Sequence, residues 1–383
     1  MPKASPSRPL HLGVDLSDAG AHPAVGRTQG TSGQRPFDPE RLAALVATAQ
    51  RGVLDFVLFD DAFSLQPRNG TRPGRLDAAL ISARVAPPSS GIGIVATIDT
   101  IHTEPFHVSK AIATIDTVSR GRAAWQVGVS TSEAEAGHFG RRPAAGEAAA
   151  LAEADEAIEA VTRLWDSWED DAEIRDVPSG RFVDRGKLHY VDFDGVHFAV
   201  KGPSTAPRPP QGQPLVVVRA GSEPELRLAG RRADVVRIRA TDLDVAGQAA
   251  ADVRREAARW GRDPAELRIL LDVYAIIGPD PAASAERRSL LENLDGASVD
   301  TGSLVHVGTP EDLARVLREG VAAGAVDGYT VRPASLETDL HGLVDGVIPF
   351  LQHAGAFRRA YPGATLRDTL GLPRPANRYA AIA

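Results

Sequence analysis

The stretch from residue 91 to residue 130, GIGIVATIDTIHTEPFHVSKAIATIDTVSRGRAAWQVGVS, runs strand, helix, strand, and that order leaves few folds open. Ile92, Ile94, Val95 and Ala96 form a short apolar run that ends in the polar Thr97, Asp99 and Thr100. Val108, Ala111, Ile112, Ile115 and Val118 then recur at the spacing of one helix face. Pro105 suits a first helical turn, where its missing N–H costs nothing, and Gly121 suits the stop. Ala123 to Val129 reads as a second buried strand. Two parallel strands joined by a helix make a right-handed βαβ unit, whose ligand side is the carboxyl end of its strands. Thr97, Asp99, Gln126 and Ser130 are therefore expected at or near that rim.

The same alternation continues along the chain. Further strands are expected at Leu10 to Leu16, Val53 to Phe59, Leu215 to Val218, Val235 to Arg239, Leu267 to Ile277 and Val326 to Val331. Helices are expected after the caps Asp38-Pro39 and Thr309-Pro310, over Asp77 to Val85, Gly146 to Trp168, Glu223 to Arg232 and Asp244 to Trp260, and over Leu340 to Leu351. About eight such alternations favour an α/β fold of the (β/α)₈ barrel type over an open sheet. All 383 residues are read as one barrel domain, with an extended surface excursion at 170–213 and a helical or irregular insertion at 276–305. The segment from Ser17 to Phe37 is long enough to cover an active site.

Composition narrows the chemistry. With no cysteine the chain has no disulfide, thiolate nucleophile or cysteine-held metal, and a net charge of -7 gives no footprint for nucleic acid. No apolar run reaches a membrane span, and MPKASPSRPLHLGVDL has no long apolar core of a signal peptide, so a cytoplasmic location is expected. Gly91-Ile92-Gly93 lacks the third glycine of a dinucleotide fingerprint. His102, His107 and His138 have no carboxylate at a spacing that would make any of them a general base. Trp165, Trp168 and Phe182 read as packing residues of the long helix and the excursion.

The run EPFHVSKAIATIDTVSRGRAAWQVGVS, together with DFVLFDDAF, LWDSWEDDA, GPSTAPRPPQGQPLVVVRAGS, HVGTPEDLA and FRRAYPGATLRDTLGLPRPANRY, resembles the bacterial luciferase-like flavin monooxygenases. Within them it is similar to the group of nitrilotriacetate monooxygenase component A, pristinamycin synthase and dibenzothiophene-sulfone monooxygenase. The resemblance spans nearly the whole chain. It implies a barrel that binds reduced FMN as a co-substrate at its carboxyl rim, a separate NAD(P)H-dependent flavin reductase as partner, and a C4a-peroxide that oxygenates a small organic molecule. It also implies a homodimer. A deazaflavin-dependent oxidoreductase of the same fold and a non-catalytic flavin-binding barrel stand as alternatives.

The resemblance sets Asp61, with Asp60 as its neighbour, near the flavin ring; otherwise Asp61 is a loop acid or helix cap. Thr97 corresponds to a position facing the ring, or is an ordinary strand hydroxyl. Gln126 stands where the family has asparagine, with the same amide chemistry on a longer arm, and serves the flavin edge or packing. Ala220, Gly221 and Ser222 open a helix whose N–H groups suit the FMN phosphate, or are a plain cap. Arg219 adds a cation there or forms a surface ion pair. The family's His-x-x-Arg-Tyr motif after Phe139-Gly140 is missing, leaving Arg141 or Arg142 as substitutes.

Overall fold

The computed structural model describes residues 9–28, 37–64 and 74–380. Its centre is a ring of parallel strands: β1 (His11–Asp15), β2 (Phe56–Phe59), β3 (Gly93–Asp99), β4 (Ala123–Gly128), β5 (Leu215–Ala220), β6 (Val235–Ile238), β7 (Arg268–Ile277) and β8 (Gly328–Pro333). Each pairs with the next, and β8 returns to β1, with Leu12 opposite Tyr329 and Val14 opposite Val331. The sheet therefore closes, and the (β/α)₈ expectation holds. Among the described residues no helix is long and apolar enough to cross a membrane.

Strand parity builds two cores. Outward residues such as Val57, Phe59, Ile94, Ala96, Trp125, Val218, Ile238 and Leu271 pack against the helices. Inward residues Phe56, Leu58, Val95, Ala124, Leu215, Val217, Val235 and Leu270 fill the lower barrel. Both faces are apolar, so the strands read as continuous hydrophobic runs rather than alternating ones. Leu366, Leu370 and Leu372 join the inner cluster from the far end of the chain. The short helix Leu366–Leu370 carries the first two under the barrel and Leu372 follows its end, with Thr365 and Asp368 forming the capping box. A Cβ on Gly93 would lie 2.5 Å from Leu366 Cδ1, so the bare backbone there lets this plug seat.

The helix Pro105–Ser119 begins at Pro105 as expected and ends through Arg120 and Gly121, both at positive φ. The long helix Glu147–Asp166 follows its apolar stripe, and Trp165 anchors it by donating to the Ser109 carbonyl at 2.9 Å. The excursion holds two small hairpins, Glu173–Asp176 with Arg181–Val183 and Phe193–Asp194 with Ala199–Val200. Phe182 is exposed there, under the Arg175 guanidinium, instead of packing on the long helix.

Two elements depart from expectation. The strand expected from Val53 starts only at Phe56, because Val53 turns through φ 55 to leave the preceding helix. The insertion contains a regular helix, Pro281–Asp295, and an unforeseen strand follows it, Leu304–Gly308. β6 stops at Ile238, opposite Leu271, and the new strand takes over that edge of β7 from Val273 to Ile277. The barrel wall is thereby raised on one side of the mouth.

Candidate active site

Above the apolar lower barrel the inward positions turn polar. Continuing each strand's parity by one step brings Asp60, Thr97, Gln126, Arg219, Arg237 and Asp272 into one layer. Gln126 Nε2 donates to Asp60 Oδ1 at 3.1 Å and to Thr97 Oγ1 at 2.9 Å, and Thr97 donates to the same Asp60 oxygen at 3.2 Å. Gln126 Oε1 accepts from Arg237 Nη1 at 2.6 Å. Arg237 then grips Asp272 through Nε at 3.0 Å and Nη2 at 2.9 Å, with Asp15 3.9 Å away. Arg219 closes the chain of contacts 3.5 Å from Asp60 Oδ2.

The charges respond to this enclosure. Burial pushes Asp60 up, but Arg219, Arg237 and Arg75 with the Thr97 hydrogen bond outweigh it and hold Asp60 below the usual carboxylate range. At Asp15 burial, with the neighbouring Asp60, outweighs Arg237, Arg332 and the Ser17 hydrogen bond and raises it. Arg237 is destabilised by burial yet held above its ordinary value by Asp272, Asp15 and Asp60.

Asp61 stands outside this layer. Its carboxylate accepts from Ala62 N at 2.8 Å and from Ala78 N at 3.0 Å, so it ties the β2 loop to the first turn of the helix Ala78–Val85. It also borders a pocket with Phe63, Leu80, Ile98, His107 and Val108. A second pocket opens on the other side of Asp60, among Leu16, Ser17, Phe37, Leu42, Phe59 and Ile81. Asp99 serves the turn after β3, accepting from Ile101 N and His102 N at 2.9 Å each and from Ser130 Oγ at 2.7 Å. His102 stacks on Phe139, centroids 4.3 Å apart, with Phe63 edge-on to that ring at 4.8 Å. Residues 29–36 of the segment expected to cover the mouth lie outside the described residues, as do residues 65–73.

At the opening of the helix Glu223–Arg232 the expected anion donors are already engaged. Ser222 and Glu225 form a capping box, and the Glu225 carboxylate accepts from Gly221 N at 2.7 Å and Ser222 N at 2.9 Å. Ser222 Oγ donates to Glu147 Oε1 at 2.8 Å. Of the two arginines that follow Phe139-Gly140, Arg142 is drawn to Glu153 and to the Ile101 carbonyl, and Arg141 sits 3.8 Å from Glu104. Arg219 and Arg239 line the pocket beside Gly221, Ser222 and Glu225.

Sequence reasoning missed Arg237, Asp272, Glu147 and Glu225. A charged residue inside the apolar run VVRIRA was the available signal for the first, and the Ser222-x-x-Glu225 spacing for the last.

A model of the family described as luciferase-like monooxygenase matches residues 20–299. N-acetyl-S-(2-succino)cysteine monooxygenase of Bacillus subtilis (strain 168) is 30% identical, over 98% of this chain and 99% of its own. Nitrilotriacetate monooxygenase component A of Aminobacter aminovorans is 29% identical, over 98% and 99%. Among solved structures, EDTA monooxygenase from Chelativorans sp. BNC1 superposes with a TM-score of 0.87 at 25% identity, covering 96% of this chain and 99% of that one. The first alignment runs over 438 positions against 383 residues here, so that relative carries segments this chain lacks.

Proposed function

Because the chain belongs to the luciferase-like monooxygenase family of flavin-dependent oxidoreductases, we propose that it is the oxygenase of a two-component system, taking reduced FMN from a separate flavin reductase. The substrate class is a small organic molecule. The observation that carries this reading is the polar layer of Asp60, Thr97, Gln126 and Arg237, set at the carboxyl end of the barrel between two largely apolar pockets.

The ring end of a flavin fits this layer, whereas the phosphate end does not fit the helix opening, whose donors are taken by carboxylates. When bound, the reduced flavin supplies two electrons that, with two protons, let O2 give one oxygen atom to the substrate and one to water. Gln126 and Thr97 hold each other and Asp60 in fixed geometry, so a ring above them meets oriented groups instead of mobile ones. Arg219 carries its half-exposed guanidinium, 47% accessible, at the top of the layer, where it suits an electron-rich edge. Asp60 takes the part that the resemblance gave to Asp61. Leu16, Phe59 and Ile81 line the pocket beside Asp60, and Phe63, Leu80 and Val108 the pocket beside Thr97, two apolar walls next to the layer.

The test is anaerobic binding of reduced FMN by the purified chain, followed by rapid mixing with oxygen. Bound flavin should regain its oxidised visible absorbance more slowly than free reduced FMN. Identical rates, or a tighter hold on a reduced deazaflavin, would sink the proposal.

A further inference from the structure

The helix opening that the family's cofactor would use is occupied by the chain itself. Three of the donors there are spent on carboxylates: Gly221 N and Ser222 N on Glu225, and Ser222 Oγ on Glu147. These are short charge-assisted bonds, stronger than neutral ones. A terminal phosphate, carrying about -1.5 to -2 charge near neutral pH, would have to displace Glu225 and lie beside Glu147. The cations bordering the pocket are Arg219 and Arg239. Arg219 is turned to Asp60 at 3.5 Å, and Arg239 reaches the Thr301 carbonyl at 3.4 Å. Glu225 in the pocket and Glu147 beside it thus balance Arg219 and Arg239 before any ligand arrives, and Arg219 also has Asp60 as a partner.

We infer that this mouth recognises the isoalloxazine ring and polyol of a reduced flavin without an anchor for a terminal phosphate, so that riboflavin is held as well as FMN. The inference rests on the proposed flavin reading and narrows its ligand class. Glu225 and Glu147 are the residues that set the selectivity. Glu225 closes the N–H pair, while Glu147 removes the hydroxyl and adds a second negative charge. The long helix begins at Glu147 itself, so this carboxylate is brought to Ser222 by the first turn of an element whose remainder is firmly packed.

Dissociation constants of dithionite-reduced riboflavin and FMN, measured by anaerobic ultrafiltration with the whole chain, test this. The two should agree within about threefold, and the double variant Glu147→Gln/Glu225→Gln should gain about tenfold or more for FMN with riboflavin unchanged, because both negative charges are removed and the competing bonds to the N–H pair fall from charge-assisted to neutral. Glutamine at position 225 keeps the capping-box geometry, so the variant is expected to fold, and circular dichroism checks it. FMN binding about tenfold tighter than riboflavin in the unmodified chain overturns the inference and leaves the flavin reading standing. An unchanged FMN-to-riboflavin ratio in a folded double variant also overturns it. Failure to bind either flavin overturns both.

Discussion

Replacing Arg237 by methionine removes the one cation buried in the middle of the polar layer. Arg237 and Asp272 have side-chain accessibilities of 1% and 2%, and they share two hydrogen bonds at 3.0 and 2.9 Å. Breaking a buried pair by deleting one partner costs about 3–5 kcal/mol, because the remaining charge is left without compensation. Here Asp272 would be joined by Asp15 and Asp60, which lean on the same guanidinium. With about 2.1 cal/mol/K of unfolding entropy per residue, the 383-residue chain should lose about 4–6 °C of Tm. Loss of the guanidinium would raise the folded pKa values of Asp15 and Asp60, both of which it lowers. The variant's deficit should therefore shrink as pH falls towards about 4 and grow as pH rises. Thermal unfolding followed by circular dichroism across that range measures both effects. Arg237→Met/Asp272→Leu, which removes the stranded charge, should recover at least about half of the loss. A single variant within about 1 °C of the parent, or a double variant as unstable as the summed singles, would refute the charge argument.

Other perturbations probe the ends of the barrel and the rim. Leu366→Ala, deleting a 1% exposed plug residue, should cost about 2–5 kcal/mol by leaving a cavity under β3, read as a shift in denaturant midpoint. Asp60→Asn should weaken reduced-flavin binding by about tenfold or more, since hydrogen bonds to a charged group are lost, whereas Asp61→Asn should lower Tm and leave that affinity alone. Comparing the two affinities checks which acid serves the ring. Glu159 is pushed up by burial but held at about 2 by Arg163, Arg232 and Arg378. Arg374 and Arg208 likewise hold Asp170 at about 2. Both folded values lie below the unfolded ones, so the stability they provide is full above about pH 5 and lost as pH falls through about 2. Tm should decline from about pH 5 to about pH 3, and a flat profile would contradict it.

The βαβ segment from Gly91 to Ser130 was readable because its helix has one apolar face and its strands are bounded by polar rims. Thr97 and Gln126 followed from being the first polar residues after buried runs. Asp60 and Asp61 could not be separated that way. All four residues of β2 are buried, on both faces, so hydrophobicity does not reveal which parity points inward. Only the packing of Phe56 and Leu58 inside the barrel decides that Asp60 continues inward. The opening of the helix after β5 was ambiguous for a different reason. Backbone N–H groups at a helix start donate to a phosphate or to the helix's own glutamate equally well, and Glu147 lies 75 positions from Ser222. The strand Leu304–Gly308 escaped notice because it is short and leaves Val305 46% exposed. Leu366, Leu370 and Leu372, scattered among Gly, Pro and Arg, look like a tail until the barrel above them exists.

That arrangement has a consequence for biosynthesis. Every staved segment of the cask leaves the ribosome before its stopper does, so the nascent protein passes through a stage with a hollow, greasy base. Arg367 belongs to the same closure, bonding the Gln213 carbonyl at 2.9 Å and so clasping the last helix to the approach to β5. A premature stop ahead of residue 366, or a bulky fusion pressed against that end, should yield sticky, chaperone-bound material even though each strand of the wall has been translated.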